Sequence, residues 1–202
     1  MQTLEFLYLI GLGAATIGKK MPSTCNGANL AYRKDVFNEV KGFQGIDDLA
    51  SGDDELLLHK VASLYPDGIG FCKSEDALVY THAKPDLAAF IQQRKRWASK
   101  STRYKNKGIV VLGVSIWLFN LLIIVNVIMG FYNPDFFWIA GLSLLAKFLV
   151  EITFLMPMCK FARRQDLLVY QPVLTIIHIF YFVYIGLAGN SGKYNWKDRM
   201  VK

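Results

Sequence analysis

The sequence predicts an α/β segment, then a helix on a membrane surface, then two to three transmembrane helices. Three observations predict it. Residues 19–88 alternate short helix-like and strand-like patterns. Charge is divided unevenly: 15 Lys/Arg and 12 Asp/Glu fall in residues 1–107, against 8 and 4 in residues 108–202. Two stretches, 108–134 and 167–192, run for 27 and 26 residues without a charge. The chain of 202 residues is 53% hydrophobic with a mean hydropathy of +0.27, high for a domain that folds in water.

Phe6 to Gly18 is uncharged for 13 residues. It follows Glu5, has no basic start and is too short for a comfortable span, so it reads as a buried or interfacial helix rather than a signal peptide. Asn29–Tyr32 has the pattern of a short strand, and Lys34–Val40 that of a short helix ending near Gly42. Leu57, Val61 and Leu64 recur at helical spacing and predict an amphipathic helix over 54–64, capped by Ser51 or Asp53. Ile69–Cys72 and Ala77–Tyr80 read as strands on either side of a turn.

Pro85 suits the first turn of a helix beginning near Lys84. On that helix Gln93, Arg96, Trp97 and Lys100 share a face. Seven basic residues lie between Arg94 and Lys107 with no acid among them, directly before an apolar run. Such a cluster faces cytoplasmic anionic lipid, which accounts for much of the +7 net charge without nucleic acid. Ile109–Met129 is long enough to cross the hydrocarbon core, as is 168–188, and 136–158 is a third candidate. In the third candidate Lys147 and Glu151 are four residues apart and can pair, facing neighbouring helices or a substrate path. Three crossings would put Lys193, Lys197, Arg199 and Lys202 outside, against the positive-inside rule, so either that rule fails at the tail or one segment does not fully cross. Cys25, Cys72 and Cys159 are too scattered for a disulfide framework or a zinc site.

Two clusters carry chemistry. In Ser51-Gly52-Asp53-Asp54-Glu55, with Asp47 and Asp48 just upstream, a carboxylate at a helix start could complement the helix dipole or take a proton from a hydroxyl nucleophile. In Gln93-Arg94-Lys95-Arg96-Trp97 a guanidinium could grip diphosphate oxygens and an indole could stack on a sugar, or both could anchor the helix at the membrane.

The order of these clusters resembles the membrane-bound family 2 glycosyltransferases, the group that includes cellulose and hyaluronan synthases. The residues that carry the resemblance are Cys25 to Arg33 (a G-x-N segment followed by Tyr-Arg), Gly52-Asp53-Asp54-Glu55-Leu56, and Gln93-x-x-Arg96-Trp97 directly before a span. The resemblance implies the C-terminal part of a GT-A, Rossmann-like domain over residues 1–84. An interfacial helix would follow over 85–107, transmembrane helices over 108–190 and a basic tail over 191–202. It implies an inverting hexosyltransferase at the cytoplasmic face of the inner or plasma membrane. The donor would be a nucleotide sugar, usually UDP-linked, and the acceptor a glycan or a lipid-linked sugar, with membrane lipids as further partners.

By the same resemblance a carboxylate of the acidic motif is the general base. Asp53 fits if Glu55 is the second acid of an E-D-x-D-L pattern. Asp54 fits if the motif is aligned with hyaluronan synthases. Arg96 would meet the diphosphate, Trp97 the acceptor sugar, and Gly27 and Asn29 would line the cleft beside Gln93. The full-length enzyme is expected to use Mg or Mn, yet this sequence contains no D-x-D motif. The chain therefore reads as a C-terminal fragment, inactive without a nucleotide-binding half. Two other classes compete: a non-catalytic membrane module for polysaccharide assembly or export, and a transporter fragment built on Lys147 and Glu151.

Overall fold

The computed structural model describes residues 1–46, 52–99, 104, 107–189, 194–196 and 199–201, the last two segments by their backbone alone. Seven α-helices are present among them: α1 (Gln2–Gly18), α2 (Lys34–Glu39), α3 (Asp53–Leu64), α4 (Leu87–Ser99), α5 (Lys107–Met129), α6 (Asp135–Phe161) and α7 (Gln171–Gly189). Asp47, Asp48, Ser51 and Lys100 lie outside the described residues.

The α/β expectation is overturned, and with it the Rossmann-like GT-A sheet. Gly27–Asn29 and Glu75–Ala77 are single 3₁₀ turns, and Ile69–Cys72 has no regular structure. The only sheet among the described residues is an antiparallel pair in the basic tail, β1 (Tyr194–Trp196) and β2 (Arg199–Val201), with Tyr194 opposite Val201. The physical reason is that a four-residue run of strand-forming residues is not a strand by itself. It must pair its backbone groups with a neighbour, and among the described residues no strand lies beside these runs.

The helices follow the patterning closely. Helix α2 ends where Gly42 turns at φ +49°, and α3 begins at Asp53. Its N-cap is Gly52 at φ +101°, with no side-chain cap, rather than Ser51 or Asp53. Helix α4 starts two residues beyond Pro85, because Asp86 Oδ1 accepts the Ala89 N–H at 2.7 Å and caps it there. The Lys84 backbone is held instead by the Gln2 side-chain amide, at 3.0 and 2.9 Å in the two directions.

Helices α5, α6 and the stretch Gln165–Gly189, which contains α7, are long and apolar enough to cross a membrane. Helices α5 and α6 form a hairpin. Its turn carries Phe131 and Tyr132 and the first turn of α6 carries Trp138, exposed by 80, 83 and 76%, where an aromatic belt at the far interface would sit. Gly130 is needed in this turn, since an added Cβ would lie 2.6 Å from the Phe137 ring. Pro157 lies inside α6 and Pro172 in the first turn of α7, both tolerable in an apolar surround. Helix α1 docks on α6 through Gly11, whose missing Cβ makes room for Phe154 and Met158. Leu4 and Leu7 of α1, Leu155 and Cys159 of α6, and Leu167 and Leu174 before and within α7 form the core cluster.

Candidate functional site

The acidic motif is built from the start of α3. Gly52 takes a left-handed conformation that an L side chain resists by about 1–2 kcal/mol, and this turns the chain sharply into the helix. Three consecutive carboxylates then point to three different environments. Asp53 is exposed and makes no hydrogen bond or ion pair among the described residues. Asp54 accepts the Gly27 N–H through Oδ2 at 2.8 Å and the Glu55 N–H through Oδ1 at 2.8 Å. Glu55 is 3% exposed and accepts the hydroxyls of Thr24, at 3.1 Å, and Tyr104. His59, one turn further on, contacts the Ser23 carbonyl oxygen at 2.9 Å and sets its ring edge-on to Tyr104.

Gly27 therefore meets the acidic motif directly. A Cβ at position 27 would lie 2.9 Å from Asp54 Oδ2 and 3.2 Å from its Cβ, so only glycine allows this approach. Gly27→Ala is expected to displace the Asp54 carboxylate and lower activity several-fold at unchanged expression. Unchanged initial rates in membranes would refute the contact's importance. Asn29 turns away from this pair and donates its side-chain amide to the Ala77 carbonyl at 2.7 Å.

The second motif lies on α4. Arg94, read from the sequence as one of the basic residues facing anionic lipid, is instead buried, at 5% exposure. Its guanidinium forms a two-pronged ion pair with Glu5 of α1, with Nε 2.8 Å from Oε1. Gln93 Oε1 accepts a further Arg94 N–H at 2.7 Å. The Phe90 and Trp97 rings stack on the same guanidinium, at 4.4 and 4.2 Å. Tyr181 of α7 donates to Glu5 at 3.2 Å, and Phe6 of α1 lies 6.3 Å from Trp97. Arg96 sits half-buried in the last turn of α4.

The structure thus gathers the sequence-predicted residues into two groups, Gly27 with Asp54 and Gln93 with Trp97. Helix α1 spans both. Its Glu5 and Phe6 hold the α4 group, while its Thr16 bonds Ser23 at 3.0 Å, two residues before the Gly27 segment begins. The pairing of Glu5 with Arg94 was missed in the sequence. The available signal was a lone acid in an otherwise uncharged helix, which needs a cation when buried.

A third polar cluster lies between α6 and α7. Glu151 accepts Lys147 at 2.5 Å, Thr175 at 2.7 Å and Gln171 at 3.0 Å, with His178 at 3.8 Å. The Lys147–Glu151 pair faces a neighbouring helix and is hydrogen-bonded there. Beside it is a cavity of about 340 Å³, lined by Asn120, Lys147, Glu151 and His178 among others. Tyr8 of α1 also lines it, and burial and then the Glu151 charge push its phenol upward, so it stays neutral.

No group of three His, Cys, Asp or Glu side chains is placed to hold a metal among the described residues, so these residues do not supply a site for the expected divalent ion.

The description Glycosyl transferase family group 2 matches residues 2–187. The chain belongs to this family. The match begins in α1 and ends in α7, so it takes in both motifs and the apolar hairpin that follows them. No curated protein and no solved structure matches the chain. Membership of the family 2 glycosyltransferases makes glycosyl transfer its activity class, with a nucleotide-sugar donor and an acceptor as substrates, and its apolar helices fit membrane association.

Proposed function

We propose that this family 2 glycosyltransferase transfers a hexose, with inversion, to a glycan or lipid-linked acceptor at the cytoplasmic membrane face. Residues 1–84 carry the acidic segment, 85–107 the surface helix, and 108–190 the anchor. Asp53 is the general base. The observation that carries this is the division of labour among three adjacent carboxylates. Asp54 is occupied by backbone N–H groups and Glu55 is buried under two hydroxyls, while Asp53 is open at the helix start. A base must be open to the incoming hydroxyl, and Asp53 is the exposed one of the three. Gln93, Arg96 and Trp97 bind donor diphosphate and acceptor sugar along α4. The seven basic residues from Arg94 to Lys107 support the cytoplasmic placement.

The test uses membranes expressing the whole gene product and a panel of nucleotide sugars, with nucleoside diphosphate release as readout. Acceptor-dependent release that disappears in Asp53→Asn supports the reading. If no donor gives release above the Asp53→Asn background, the assignment falls.

A further inference from the structure

Helix α7 is apolar and long enough to span a bilayer, yet its contacts hold it at one depth. In the α5–α6 hairpin, Ile116 and Asn120 line the same cavity as Lys147, Val150 and Glu151, so Trp117 and Glu151 stand at about the same level. The first half of α7 meets Glu151 through Gln171, Thr175 and His178. Its second half meets Trp117, whose Nε1 donates to the Val183 carbonyl at 3.2 Å and whose ring fills the space beside Gly186. A helix running along the hairpin would advance about 16 Å between Thr175 and Gly186. Helix α7 instead passes sideways from α6 to α5.

Further contacts agree. Helix α4 runs beside α7 in the same direction: Phe90 meets Tyr181 at 5.8 Å, Lys95 sits 5.5 Å from the Tyr184 ring, and Ala98 packs on Gly189. Helix α4 carries Arg94, Lys95 and Arg96, which keeps its neighbour near the basic side of the membrane. Strand β1, beyond the end of α7, packs against α4.

We propose that α7 does not cross the bilayer but lies within its cytoplasmic leaflet, as a lipid-facing surface beside α1 and α4, and that the chain crosses only twice. Val173, Ile176, Ile177, Phe180 and Leu187 form one stripe on α7, each 46–63% exposed, and acyl chains of that leaflet cover it. The four basic residues of the tail then count on the same side of the membrane as Lys160, Arg163 and Arg164, as the positive-inside rule asks. The conflict between three crossings and the positive-inside rule disappears. This placement is independent of the catalytic assignment.

Reporters fused to the C-terminus of the intact chain test it in a bacterial host. A green fluorescent protein fusion is expected to fluoresce and an alkaline phosphatase fusion to be inactive. Active phosphatase with a dark fluorescent fusion would overturn the proposal. Because a fusion can disturb a terminus, nitroxide side chains placed at 177, 180 and 187 by non-canonical amino-acid incorporation give a second reading. Equal immersion depths are expected. A progression of about 15 Å from 177 to 187 would mean a crossing helix.

Discussion

Asp53→Asn is expected to lower the transfer rate by about 10²–10⁴-fold while leaving donor binding nearly unchanged. A sugar hydroxyl is a weak nucleophile at neutral pH. The amide keeps the carboxylate's shape and loses its basicity. Asp53 has no partner among the described residues to strand, so the folded chain should tolerate the change. Asp54→Asn should act differently. It retains one acceptor for the two backbone N–H groups that Asp54 now receives, at 2.8 Å each, and its loss should come through a shifted Gly27 segment. Initial rates and donor-binding isotherms on both variants separate these outcomes. Full activity in Asp53→Asn with loss in Asp54→Asn would move the base by one residue. Full activity in both would leave the motif a structural helix start.

Arg94→Leu is expected to destabilise the chain by about 3–5 kcal/mol, because it leaves the Glu5 carboxylate buried without its counter-charge. Glu5 is 6% exposed and would retain only the Tyr181 hydroxyl of its described partners. The thermal midpoint in lipid nanodiscs should fall by roughly 10 °C or more. Trp97 would also lose the guanidinium on which it stacks, so acceptor engagement should weaken in the protein that remains folded. The double variant Glu5→Leu/Arg94→Leu should be more stable than Arg94→Leu alone, since two apolar side chains leave no orphaned charge. An unchanged midpoint in Arg94→Leu would show that water reaches this pair and that it is not the tie between α1 and α4.

Much of this was legible in the residues. The apolar lengths of 109–129 and 136–158 marked helices that became α5 and α6, and the i, i+4 spacing of Lys147 and Glu151 marked their ion pair. The order of Gly27, the acidic motif and Gln93-x-x-Arg96-Trp97 pointed to the family that matches residues 2–187. The short strands over 29–32, 69–72 and 77–80 were misread because strand propensity describes one side of a pairing whose other side lies elsewhere in the chain. Glu5 was passed over for a related reason. Its counter-charge is 89 residues away, and no local periodicity connects them.

The sequence by itself determined two long apolar helices able to cross a membrane, a basic helix before them, the positions of both motifs and the family. These depend on composition and spacing within one turn, one span or one short motif, where each residue's neighbours along the chain are also its neighbours in space. Only the tertiary structure decided which of Asp53, Asp54 and Glu55 stays open, that Arg94 rather than Arg96 is buried against α1, and that α7 passes across the hairpin. Those outcomes rest on contacts between residues 27 and 54, 5 and 94, and 117 and 183. Burial turns each such contact into an energetic requirement, and the fold alone chooses which distant groups are brought close enough to meet it.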